Sequence, residues 1–257
     1  MNDHMIRQDI VEVGRRMYNR EFVASNDGNI SVRIADNELL ITPTCVSKGY
    51  MTTDDMLKVD LDGNVISGSK KPSSEIKMHL VIYKNRPDVF AVCHAHPQKA
   101  TAFAVARQIF KEIALPEVIF SIGSIALSDY ATPTTDELPK SIENLIKKND
   151  AILLSNHGAL TVGKDVFDAY NKMETLEHYA GIILYARQLG GEQGLTSKQI
   201  AELLRIRRET YGKTDLEFSD EGLCATKTAA DPNKEQIELV REITMRVIEE
   251  LRRSNAR

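Results

Sequence analysis

The stretch Phe90-Ala91-Val92-Cys93-His94-Ala95-His96-Pro97 sets the reading of the whole chain. Its apolar first half is a short strand, and side chains alternate along a strand with period two, so His94 and His96 project to one face. Two imidazoles held side by side are two ligands of a metal site. A third from elsewhere completes the open three-ligand arrangement of a catalytic zinc, with the fourth position left for water or substrate. Such a third histidine stands in Ser155-Asn156-His157-Gly158, directly after the buried-strand pattern Ala151 to Leu154. His4, His79 and His178 lie in helix-like stretches without such company and read as structural or surface groups. Alone, a His-x-His pair is as well read as two hydrogen-bonded surface residues, so the decision falls to what surrounds it.

Upstream, Ser73-Ser74-Glu75 is an N-cap signal for a helix that carries Met78, Val81 and Ile82 and closes near Arg86-Pro87. The free N–H groups and positive dipole end of such a helix favour a phosphate. Residues 57–61 and 65–66 flank Asp62-Gly63-Asn64 as a hairpin, and residues 30–34 and 39–41 flank a turn over 35–38 as another. Ile6, Ile10, Val13 and Met17 recur at helical spacing, giving an opening amphipathic helix that Asn26-Asp27-Gly28-Asn29 ends. Downstream, Pro97 opens a helix through Phe103 and Val105, while Val118-Ile119-Phe120 and Ile125-Ala126-Leu127 read as short strands. Asp165 caps a long helix ending at Gly190-Gly191, and a further helix runs from about Ser197 to Tyr211.

The 257 residues have an ordinary globular composition and a net charge of −4 with both signs interspersed, which gives no basic stripe for nucleic acid. No run approaches the roughly 20 apolar residues of a membrane span, and the first residues lack a signal-peptide core. A cytoplasmic location is expected. Cys45, Cys93 and Cys224 are far apart and odd in number, so neither a disulfide framework nor a cysteine-rich zinc site is expected.

Gly28-Asn29-Ile30-Ser31-Val32-Arg33, Ile41-Thr42-Pro43-Thr44, Pro72-Ser73-Ser74-Glu75, His94-Ala95-His96-Pro97 and Asn156-His157-Gly158 together resemble the class II aldolase/adducin family. Within it the resemblance is closest to the aldolases of L-fuculose 1-phosphate. The match runs in one order from about residue 6 to 212. It implies an α/β fold of three layers, α/β/α, around a mainly antiparallel sheet, assembled as a homotetramer with active sites between subunits. It also implies one zinc ion per chain on His94, His96 and His157, with Glu75 as the acid/base beside it. Gly28, Asn29, Thr44, Ser73 and Ser74 match the family's phosphate-binding positions, and Tyr211 its C-terminal tyrosine. The implied reaction cleaves a ketose 1-phosphate into dihydroxyacetone phosphate and an aldehyde. Zinc, as a Lewis acid, would stabilise the enediolate, and Glu75 would move the C3 proton.

Two departures stand out. Cys45 occupies the place of a family glycine, so a different backbone approach to phosphate is expected. The family's aldehyde-side tyrosine from a neighbouring subunit has no counterpart in Leu115-Pro116-Glu117-Val118. L-Rhamnulose-1-phosphate cleavage would give the same products. A ribulose-5-phosphate 4-epimerase typically has Asp where Glu75 stands, and an adducin-like binding module lacks the metal set. Beyond the aldolase domain at 1–212, residues 213–233 read as a linker and 234–257 as an amphipathic helix, with Ile237, Val240, Ile243, Val247, Ile248 and Leu251 on one stripe. That tail resembles those that carry enzymes into bacterial microcompartment shells, and is equally suited to dock on its own or a neighbouring subunit.

Overall fold

The computed structural model describes residues 3–110 and 112–211. The expected linker at 213–233 and helix at 234–257 lie outside them. Helix α1 (Asp3–Asn19) buries Ile6, Ile10, Val13 and Met17 as their spacing predicts. It ends well before the 26–29 turn. Glu21 adopts φ 59°, and Phe22 N–H donates to Met17 O while Glu21 N–H donates to Tyr18 O. This is a left-handed helix closure, usually signalled by glycine and here made by a residue that carries no such signal.

Strands β1 (Asn29–Ala35) and β2 (Glu38–Ile41) form the first hairpin, and β3 (Leu57–Val59) and β4 (Val65–Ser67) the second. Helix α2 (Ile76–Asn85) leads to β5 (Ala91–Ala95) and α3 (Gln98–Ala106). The expected strand at 118–120 is instead part of α4 (Pro116–Ser121): Pro116 sits in its first turn, and a three-residue apolar run has too little length to declare its period. Then come β6 (Ile125–Ser128), α5 (Glu137–Ile142), β7 (Ala151–Leu154), β8 (Gly158–Gly163), α6 (Val166–Gln188) and α7 (Ser197–Tyr211). Neither α5 nor β8 was expected. All six residues of β8 are buried, so it shows no alternation to read.

The eight strands form one sheet in the order β4-β3-β2-β1-β5-β8-β7-β6, antiparallel throughout except for the pair β6 and β7. Alternation along the strands sorts the core in two. Leu40, Ala91, Cys93, Ala151 and Leu153 pack with α1, α3, α4 and α6 on one face; Leu39, Ile41, Val92, Ile152 and Leu154 pack with α2 and α5 on the other. The three-layer expectation holds.

At one end of the sheet, buried Lys172 of α6 donates to Val162 O (2.8 Å) and Asp150 Oδ2 (2.7 Å) and pairs with Asp168 (3.2 Å). Lys172→Met is expected to lower unfolding free energy by about 3 kcal/mol, the low end for a broken buried pair. Asp150 keeps Arg86 at 3.0 Å, which limits the loss. Urea unfolding with an unchanged slope is the measurement.

Candidate active site

The pairing of Ala95 with Ala159 carries the turn before β8 over the end of β5. In that turn Asn156 takes the left-handed conformation (φ 57°), which asparagine tolerates, and Arg107 Nη2 donates to its Oδ1 at 2.9 Å. His157 is thereby placed against the histidine strand. His94 is wholly buried on the α2 side of the sheet, and His96 lies just past the strand end, its N–H donating to Phe22 O at 2.9 Å. One ring nitrogen from each of His94, His96 and His157 lies within 4.8 Å of the others. The three rings meet with centroids 4.7 to 5.1 Å apart.

His94 Nδ1 donates to Ala159 O at 2.9 Å, which leaves Nε2 to offer its lone pair, 3.2 Å from His96 Nε2. Asp27 Oδ2 lies 3.4 Å from His96 Nδ1. A carbonyl behind one imidazole and a carboxylate behind another are the supports by which metal-bound histidines are oriented. The donor set therefore fits a divalent metal held by three imidazoles. Burial, with His94 and His157 alongside, pushes His96 down to about 4, so it stands neutral, as a ligand must.

Glu75 occupies the N-cap of α2, yet its side chain caps nothing. Neither do the serines start the helix: Ser73 O and Oγ accept from Ile76 N–H and Glu75 N–H, so 73–75 form the turn ahead of it. Freed from capping, the buried carboxylate faces the histidines, with Oε2 3.2 Å from His94 Nε2 and Oε1 3.1 Å from His157 Nε2. Oε2 accepts from Asn29 Nδ2 at 2.8 Å, whereas Oε1 has no aligned donor. Burial opposes the charge, but His94 and His157 hold the carboxyl well below the usual range.

The five expected phosphate positions come together through main-chain pairing. Thr42 N–H donates to Ile30 O, Ser73 N–H to Thr42 O and Thr44 N–H to Lys71 O, while Thr42 Oγ1 accepts from Ile30 N–H. Segments 28–30, 42–44 and 72–74 thus lie side by side. Gly28 has φ +73°, and a Cβ there would stand 2.6 Å from Val23 and 2.9 Å from His94 O. Cys45 keeps a glycine-like φ of 58° with its side chain exposed, so the loop retains the backbone shape expected of glycine at that position. Tyr211 closes α7; its side chain lies outside what is described.

The model of the class II aldolase and adducin N-terminal domain matches residues 8–184. The chain belongs to the class II aldolase and adducin family. This class II aldolase is 39% identical over 172 residues to an L-fuculose phosphate aldolase of Methanococcus maripaludis, covering 67% of this chain and 92% of that one. It is 32% identical over 208 residues to a 3-oxo-tetronate 4-phosphate decarboxylase of Pectobacterium atrosepticum, covering 79% and 94%. The solved L-fuculose-1-phosphate aldolase of Thermus thermophilus superposes with a TM-score of 0.62 at 28% identity, over 73% of this chain and 98% of that one. The chain is accordingly a lyase. No helix among its described residues is long and apolar enough to cross a membrane.

Several residues that shape this class II aldolase site gave no sequence signal. Buried Glu177 of α6 accepts from Lys99 N–H and Ala100 N–H, capping α3 from a distance and fixing the chain just after His96. Lys48 Nζ, buried, donates to Asn26 O and Val46 O and ties down the turn before Gly28; burial pushes it down to about 8. The Glu177 contacts and the Lys48 bond to Asn26 O join residues more than 20 apart in sequence, beyond any local pattern.

Proposed function

We propose that this class II aldolase cleaves a ketose 1-phosphate, L-fuculose 1-phosphate first among them, to dihydroxyacetone phosphate and an aldehyde, L-lactaldehyde in that case. The observation that carries the reading is the Glu75 carboxylate set against three converging imidazoles, its Oε1 3.1 Å from His157 Nε2 but without an aligned hydrogen-bond donor. Zinc on His94, His96 and His157 supplies Lewis-acid stabilisation of negative charge on the substrate oxygens. Glu75 takes and returns the C3 proton. Gly28, Thr44, Ser73 and Ser74 hold the phosphate, joined by Asn29, whose amide has a second N–H beyond the one given to Glu75. Tyr211 serves the aldehyde side. The same reading takes the chain as a cytoplasmic homotetramer, which light scattering tests. Microcompartment targeting by the tail predicts that residues 214–257, fused to a fluorescent protein, collect at assembled shells.

A second reading is decarboxylation of a 3-oxo-tetronate 4-phosphate, favoured by two relatives of that name that match over 79% and 78% of this chain. Loss of carbon dioxide from such an acid leaves the enediolate of dihydroxyacetone phosphate, the same species that retro-aldol cleavage leaves. The difference is the departing group: an aldehyde leaves only if the C4 hydroxyl gives up its proton, whereas a carboxylate needs no base. Release of dihydroxyacetone phosphate from L-fuculose 1-phosphate, L-rhamnulose 1-phosphate and the 3-oxo acid, with and without zinc, separates them. Zinc-dependent release from L-fuculose 1-phosphate is expected. Release from the 3-oxo acid alone would make the chain a decarboxylase, and release from none would make it a lyase of another substrate.

A further inference from the structure

Behind Glu75 a chain of buried polar groups runs into the interior. Asn29, Ser31 and Arg33 share one face of β1, and Glu75, His79 and Tyr83 one face of α2 and its cap; the two rows meet. Asn29 Nδ2 lies 2.8 Å from Glu75 Oε2, His79 Nε2 2.5 Å from Asn29 Oδ1, Ser31 Oγ 2.6 Å from His79 Nδ1, and Tyr83 Oη 2.8 Å from Ser31 Oγ. Asn29, Ser31, His79 and Tyr83 are each at most 3% exposed.

The direction of every bond in this chain is determined. A carboxylate only accepts, so Asn29 turns its NH2 to Glu75 and its carbonyl oxygen to His79. That oxygen also only accepts, so His79 carries its proton on Nε2. Burial pushes His79 down to about 3, so the ring is neutral and its Nδ1 bare. Nδ1 then accepts from Ser31 O–H, and Ser31 Oγ accepts from Tyr83 O–H, whose burial pushes its ionisation far up. Four hydrogen bonds point one way and end on one oxygen of the base.

We propose that His79 is a positioning residue: through Asn29 it pins Oε2 of Glu75 and leaves Oε1 as the oxygen that handles the substrate proton. This rests on the reading of Glu75 as the base, and the experiment separates the two.

The rate of C3 deuterium exchange into dihydroxyacetone phosphate is measured on the zinc-loaded full chain carrying His79→Asn or His79→Gln, with zinc content determined alongside. The Gln amide reaches the place of Nε2 and can donate to Asn29; the shorter Asn amide cannot. His79→Asn is expected to lower the maximal exchange rate about 10- to 100-fold with KM little changed and zinc retained, and His79→Gln to recover most of it. In wild-type protein, histidine nitrogen NMR is expected to show His79 as the Nε2–H tautomer, a readout that stands even if a variant fails to fold. Wild-type exchange in His79→Asn, equal losses in both variants, or an Nδ1–H tautomer would overturn the proposal. If Glu75→Gln also exchanges normally, the base assignment falls with it; if Glu75→Gln is inactive, only the role of His79 falls.

Discussion

Glu75→Gln is expected to reduce C3 proton exchange of dihydroxyacetone phosphate by about 10² to 10⁴, the usual cost of losing a general base, while one zinc per chain remains bound. The exchange assay isolates proton transfer from carbon–carbon cleavage, so it tests this residue whichever group departs. Gln preserves the shape of the side chain, and with its amide oxygen at the Oε2 position it still accepts from Asn29 Nδ2. What it loses is the basic oxygen at the Oε1 position, the atom left without an aligned donor beside His157. The three histidines are untouched, so metal content measured by elemental analysis stays at the wild-type level. Unchanged exchange in this variant would reduce Glu75 to a structural residue of the turn before α2.

Gly158→Ala is expected to cut zinc affinity about 10- to 100-fold, on the scale of changes to the groups that orient metal ligands. The obstacle is space alone. A Cβ at 158 would stand 2.5 Å from Ala95 O, 2.5 Å from His96 Cδ2 and 3.3 Å from His94 Cε1. The carbonyl belongs to the pairing of β5 with β8 and cannot retreat without parting the strands, so the ring of His96 has to swing away. Zinc titration against a competing chelator measures the loss, with far-ultraviolet circular dichroism to show that the sheet persists. Wild-type affinity would mean that the His96 ring does not occupy a ligand position.

The histidine pair was legible from a simple period, whereas the roles of Glu75 and the phosphate positions followed from the resemblance of the motifs to a family. The step of two places His94 and His96 together, and Gly28 and Gly158 stand where a backbone or a ring approaches too closely for any side chain. The polar row behind Glu75 was hidden although its members are evenly spaced: Glu75, His79 and Tyr83 fall four apart, Asn29, Ser31 and Arg33 two apart. Each row is polar within a buried face, and only the pairing of the two rows explains how that polarity is satisfied. His79 therefore read as a structural or surface group, and the structure places it 0% exposed between Asn29 and Ser31. The end of the opening helix and the identity of α4 went astray for local reasons, a left-handed closure without glycine and an apolar run too short to show its period.

The meeting of those rows also sets a limit of length. Two residues along a strand advance about 6.7 Å, and four along a helix about 6.0 Å. The rows run in the same direction, so each strand residue gains on the helix, and each of Asn29 and Ser31 accordingly bonds to two successive helix-row residues. The scales slip past one another like a vernier, by about 0.7 Å per step, more than the spread of good hydrogen-bond lengths. Two or three steps are absorbed by side chains of different reach; a longer row would fall out of register. An inserted residue between 75 and 79 would turn His79 and everything beyond it by about 100° and part His79 from Asn29. The number of residues in α2 is thus as constrained as their identity.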